Sequence, residues 1–153
     1  MDRRRVLKWL LSLPLSQILP FESRSGEITV DISALDRPWT ALEFQFSVGD
    51  KTLPGIAIRT AGTDGQSEPE SLFVASRVCP HERCELLYFK DTDQLLQIFR
   101  VKAENPVLAC PCHLSVFDLG QGGKVINGPA PRPPLRLRYR VEGNKLTVLD
   151  LEK

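Results

Sequence analysis

The sequence predicts an all-β protein of short antiparallel strands, and three observations carry that prediction. Apolar residues alternate or cluster in runs of four to eight, as in GEITVDIS and ALEFQFS, which is the spacing of half-buried strands. Twelve prolines and ten glycines are scattered through 153 residues, a distribution that interrupts long helices and marks frequent turns. The C-terminal stretch LRLRYRVEGNKLTVLDL puts Leu135, Leu137, Tyr139 and Val141 on one face and Arg136, Arg138 and Arg140 on the other, with Glu142-Gly143-Asn144 able to turn the chain back as a hairpin. The length suits one domain with a small leader. Twenty Lys plus Arg stand against nineteen Asp plus Glu, so no global field favours nucleic acid or acidic lipid.

Residues 1–25 differ in kind from the rest. A basic start, Arg3 to Arg5, precedes an apolar run from Val6 to Phe21, the layout of an export signal. Asp2-Arg3-Arg4-Arg5-Val6-Leu7-Lys8 resembles the twin-arginine pattern, a receptor-read address. An amphipathic helix is the competing reading, but Pro14 and Pro20 interrupt it. As a membrane anchor the run is marginal, since sixteen helical residues rise roughly 24 Å against a hydrocarbon core of about 30 Å. FESRSGE contains no small-residue cleavage site, so an uncleaved anchor and a removed leader are both compatible with the sequence.

From residue 26 to 153 strands are expected in order at GEITVDIS, ALEFQFS, LPGIAIRT, SLFVASRV, LLQIFRV and PVLAC, before the terminal hairpin. VGDKT and TAGTDGQSEPES read as turns. KDTDQLLQIFRVKAE reads as an added hairpin with Asp91-Thr92-Asp93 at its turn, serving as padding. The arginine row of the last hairpin reads as an ordinary solvated face, with an acidic docking partner as the alternative.

The chemistry sits between these strands. All four cysteines and both histidines fall in two short segments, CPHERC (79–84) and CPCHLS (110–115). Zinc is the obvious competitor for such a donor set, but its usual ligand pairs are two to four residues apart. The single-residue step from Cys79 to His81 is tight for one ion and suits two neighbouring irons, with thiolate on one and imidazole on the other. That points to a binuclear iron-sulfur cluster, with zinc or simple disulfide linkage of the loops as the alternative.

CPHERC and CPCHLS resemble the two binding loops of Rieske iron-sulfur proteins, C-x-H-x-x-C and C-x-C-H-x-S, both in register. The resemblance implies a Rieske-type antiparallel β-sandwich with a small cluster-binding subdomain at about 76–134. It implies a 2Fe-2S cluster with Cys79 and Cys110 on one iron and His81 and His113 on the other, the imidazoles raising the potential above that of all-cysteine clusters. It further implies a Cys84–Cys112 disulfide tying the loops together, as in the cytochrome bc, b6f and arsenite oxidase branch. Such a bridge needs an oxidising compartment, which export in folded form to the bacterial periplasmic face supplies. GPAPRPPL (128–135) resembles the proline loop that packs near the cluster in quinol-oxidising members.

Departures from the family pattern shape the expected mechanism. Ser115 is present as a donor to cluster sulfur, but Phe117 stands where high-potential members have a tyrosine, so a lowered potential is expected. Glu82-Arg83 replaces Leu-Gly, placing a charged pair at the cluster's approach, and Leu114 replaces the glycine after the second histidine. The twenty-eight residues between His81 and Cys110 exceed the compact pattern. With neither an acid/base constellation nor a nucleotide loop, the chain reads as an electron-transfer subunit rather than a catalyst on its own. The expected setting is a quinol:cytochrome c oxidoreductase-type complex, with cytochrome b and c subunits and quinol as partners. The alternative is the relay subunit of a periplasmic molybdenum oxidase such as arsenite oxidase. A dioxygenase ferredoxin stands last, because that branch lacks the second cysteine pair.

Overall fold

A computed structural model describes residues 26–61 and 71–152; the leader falls outside them. Among these residues ten strands form three antiparallel sheets. The first has the order β1 (Ile28–Asp31), β10 (Lys145–Leu151), β9 (Leu137–Glu142), and the second β2 (Ala41–Val48), β3 (Lys51–Arg59), β4 (Leu72–Ser76). The third runs β5 (Leu87–Phe89), β6 (Val107–Ala109), β7 (Val116–Asp118), β8 (Lys124–Asn127).

Strand alternation explains the layering. In β3 and β4, Ile56, Ile58, Phe73 and Ala75 pack with Leu108 and Phe117 of the third sheet, whereas Ala57, Leu72 and Val74 pack with Leu137, Leu146 and Val148 of the first. Strands β3 and β4 are therefore buried on both faces, which is why compact runs such as GIAI and LFVAS replace strict alternation there. Cys79 and Cys110 belong to the core between the second and third sheets, so the site grows directly out of that core.

Two expectations are overturned. The segment 90–104 is not a hairpin: Thr92–Phe99 is helix α1, N-capped by Asp91, whose carboxylate accepts the N–H groups of Asp93 and Gln94. Leu95 and Phe99, one helical turn apart, close a third core with Phe89, Val107, Ala109 and Val116, covering the outer face of the third sheet. The helix thus packs against the strands that carry the second ligand loop. Nor is the arginine row uniformly solvated. Arg136 precedes the strand, is partly buried, stacks 4.1 Å above the Phe73 ring and donates to the carbonyls of Val74 and Leu72. Arg138 and Arg140 are exposed as expected. No helix among the described residues is long and apolar enough to cross a membrane.

Candidate metal centre

Two six-residue loops, Cys79–Cys84 after β4 and Cys110–Ser115 between β6 and β7, have the same backbone design. In each, the first cysteine's N–H donates to the carbonyl five residues on (Cys84, 2.8 Å; Ser115, 2.7 Å). Its carbonyl accepts the N–H four residues on (Arg83, 3.0 Å; Leu114, 3.0 Å). Closing that turn requires a left-handed residue, and Arg83 (φ 62°) and Leu114 (φ 59°) supply it. Left-handed backbone costs a residue with a Cβ about 1 kcal/mol or more, which gives the physical reason a glycine suits both positions. This chain spends that strain on a guanidinium in one loop and an exposed Leu114 in the other.

The side chains converge as the loops do. Cys79 and Cys110 are free thiols, each 1% exposed. Burial pushes the Cys79 thiol up and the neighbouring Cys110 adds to this, against the lowering effect of the His81 and Glu82 N–H groups directed at its sulfur. A bound cation is what reverses such a balance and makes the thiolate the stable form. The His81 and His113 rings lie edge to face with centroids 4.9 Å apart. Nδ1 of His81 is buried and has no hydrogen-bond partner among the described residues, an orphan that a metal ion would satisfy. His113 is exposed, and its Nε2 lies 3.5 Å from a Glu82 carboxylate oxygen.

Cys84 and Cys112 form a disulfide across the two loop tips. Their sulfurs and that of Cys110 all lie within 4.8 Å of one another, but oxidation removes two of the three as thiolates. The free donors are therefore two buried thiols and two imidazoles, the latter within 4.8 Å of each other and of a Glu82 carboxylate oxygen; two thiols and two imidazoles fit a binuclear iron-sulfur group.

A third segment backs the site. The Ala130 N–H donates to the Ser115 hydroxyl (3.1 Å), and the hydroxyl's own proton has no acceptor among the described residues, leaving it free for a sulfur ligand. Gly128 (φ +86°) lies flat against Ser115, and Asn127 donates to the Leu114 carbonyl at 2.7 Å. Phe117 is fully buried in the core shared with Cys79 and Cys110.

Arg77 escaped the sequence reading. Almost fully buried two residues before Cys79, it donates to the Leu86 carbonyl (3.2 Å) and pairs with Glu85 (2.6 Å) and Glu43 (3.1 Å), fastening the exit of the first loop to β2. Asp118 also escaped it. Its buried carboxylate accepts from Asn105 and Gln121 and fixes the turn Leu119–Gln121 after β7. Ionic residues beside apolar strands look solvent-facing until the third dimension is known.

A family model described as Rieske [2Fe-2S] domain matches residues 57–148. The cytochrome bc1 complex Rieske iron-sulfur subunit of Streptomyces lividans is 34% identical over 87 residues, 55% of this chain and 44% of that protein. The cytochrome b6-f complex iron-sulfur subunit of Chlorobaculum tepidum is 30% identical over 78 residues, 51% of this chain and 35% of that protein. The chain thus spans less than half the length of these curated relatives. Among solved structures, the soluble domain of Rieske protein II from Sulfolobus acidocaldarius aligns with a TM-score of 0.53 at 19% identity, covering 82% of this chain and 78% of that one, a likeness of fold.

Proposed function

From the premise that this chain belongs to the Rieske [2Fe-2S] family, whose domain implies a Rieske-type 2Fe-2S cluster, we propose that it transfers electrons as the iron-sulfur subunit of a quinol:cytochrome c oxidoreductase-type complex. Cys79 and Cys110 hold one iron, and His81 and His113 the other. The observation carrying this ligand set is the orphaned, buried Nδ1 of His81 beside two buried free thiols, in loops of identical backbone design.

When bound, such a cluster takes up and returns one electron at a potential that its surroundings set. The protein's own residues do the tuning and the positioning. Ser115 and the N–H groups of His81 and Glu82 present donors to sulfur, which favour the more negative reduced form. His113 turns its outer edge to solvent, where a quinol hydroxyl can meet it. The curated relatives belong to cytochrome bc1 and b6-f complexes, which supports cytochrome b and c partners here. The Cys84–Cys112 disulfide supports residence in an oxidising compartment, reached on this reading through residues 1–25 as a twin-arginine-like signal or membrane anchor.

Electron paramagnetic resonance on the dithionite-reduced protein tests the ligand set. A rhombic Rieske signal is expected in the wild type and its loss in Cys110→Ser and His81→Ala. Zinc without acid-labile sulfur in matured protein would overturn it. A signal in native membranes that ignores a quinone-site inhibitor would replace the quinol role with a relay to another catalytic subunit.

Phe117→Tyr should raise the midpoint potential. One hydrogen bond to a ligand sulfur that strengthens on reduction is worth about 1 kcal/mol, or roughly 40 mV for one electron. Because the ring is fully buried, the melting temperature is read alongside the redox titration. An unchanged potential in a normally folded variant removes the account of Phe117 as a potential-lowering residue.

A further inference from the structure

Beside the first ligand loop lies an open groove of about 630 Å³ that the electron-transfer reading does not use. Its walls come from the β2–β3 hairpin, the stretch from Ser76 through Arg83, and the proline loop, and His81 lines it directly. The floor is apolar, with Leu53, Pro54, Val78 and Leu135. Three cations from three separate elements stand around it: Lys51, Arg83 and Arg132. Each is exposed, and none has an ion-pair partner among the described residues.

The cations outnumber the acids around them. Glu85 is the one acid lining the groove and is hydrogen-bonded to Arg77 at 2.6 Å, a guanidinium it shares with Glu43, while Glu82 approaches His113. Arg132 stands between Pro131 and Pro133, and Arg83 is pinned by the loop's N–H bond to Cys79, so both backbones are fixed before anything binds. The whole chain carries a formal net charge of only +1, which makes this concentration of positive charge local rather than a property of the molecule.

We propose that this groove is the docking site for the acidic surface of a redox partner protein, with carboxylates seated on Lys51, Arg83 and Arg132 and apolar side chains on the floor between them. The complementarity is specific: an apolar floor needs an amphipathic partner, and three unpaired cations reject a basic one. Electrons would then pass at the His81 side of the cluster rather than only through the exposed edge of His113. The inference rests on the ligand set proposed above, since it is His81 that puts the groove next to iron.

Stopped-flow oxidation of the reduced full-length protein tests it, using two small one-electron oxidants of opposite charge. Hexacyanoferrate(III) takes one electron to become hexacyanoferrate(II), and tris(phenanthroline)cobalt(III) takes one to become the cobalt(II) complex. In low salt, Lys51→Glu/Arg132→Glu should slow the anionic oxidant at least tenfold and speed the cationic one. Both effects should fade towards wild type in about 1 M salt, where the screening length is about 3 Å. Taking the ratio of the two rates removes the small change in driving force that charge reversal causes. Lys51→Gln/Arg132→Gln, which only removes charge, should fall between. A rate ratio that stays within twofold of wild type, or a change that persists in high salt, overturns the proposal. The electron paramagnetic resonance signal of each variant is recorded first: its absence from wild type would be a failure of the ligand set, and its presence with an unmoved rate ratio a failure of the groove.

Discussion

Gly128→Ala is expected to destabilise the protein by about 3 kcal/mol or more and to prevent stable cluster loading. A Cβ at residue 128 would sit 2.4 Å from the Ser115 Cα, 2.6 Å from its nitrogen and 2.7 Å from the Leu114 carbonyl oxygen. All three are backbone atoms of the second ligand loop, so no side chain can swing aside to make room. The positive φ of +86° adds the ordinary left-handed penalty of about 1 to 2 kcal/mol. Either the proline loop lifts away, breaking the Ala130 to Ser115 bond, or the second loop moves and carries His113 with it. Gly122→Ala is the control: it has a similar φ of +68° with nothing within 4 Å, so it pays for conformation without collision. Calorimetry should show a melting temperature for Gly128→Ala roughly 10 °C or more below wild type, with a far smaller drop for Gly122→Ala. Equal losses in the two variants would mean that close approach to Ser115 does not matter.

The role of Gly128 also shows where the sequence stops being informative. Both ligand loops, the second cysteine pair and seven of the ten strands are legible because local chemistry dictates them: donor types at fixed spacing, and alternation at period two. The strands β5, β7 and β8 of the cluster-bearing sheet, three or four residues each, are too short to show a period. The disulfide in the structure joins Cys84 to Cys112, the pairing the family resemblance implied. Gly128 itself is only one glycine before a proline run until Ser115 is placed beneath it. For α1 a local signal existed. Asp91 three residues before Gln94, then Leu95 and Phe99 spaced by four, is a capped amphipathic turn. The apolar cluster in LLQIF satisfies a strand pattern as readily, and its length of eight residues does not separate the two. What decides is the face of the third sheet that needs covering, and that is tertiary information. Arg136 follows the same logic, since its guanidinium finds the Phe73 ring and two carbonyls sixty residues away in sequence, which no window of the chain contains.

Removing the disulfide, as Cys84→Ser/Cys112→Ser, should have the other large effect, and it should fall on the cluster more than on the fold. The bridge spans 28 residues, for which chain-entropy reasoning gives about 3 to 4 kcal/mol of stabilisation relative to the unfolded chain. The strands below the tips are already paired, β5 with β6 and β6 with β7, and their cores persist without the bridge. Besides the bridge, the two loops meet through the neighbouring Cys79 and Cys110 thiols at their base, and nearer the tips through the two histidine rings and the Glu82 to His113 approach at 3.5 Å, which involves exposed groups and contributes little in water. Freed of the bridge, the two tips can open independently, separating His81 from His113 without unfolding either sheet. Bleaching of the visible absorbance in the presence of a chelator should therefore run at least tenfold faster in the double variant, the equivalent of about 1.4 kcal/mol in the opening equilibrium. Leu146→Ala supplies the comparison, because it opens a cavity in the core between the first and second sheets and lowers global stability by a similar few kcal/mol. If the double variant bleaches no faster than Leu146→Ala, the bridge acts only on the unfolded chain. A faster rate at matched melting temperature means that it holds the two histidines together in the native one.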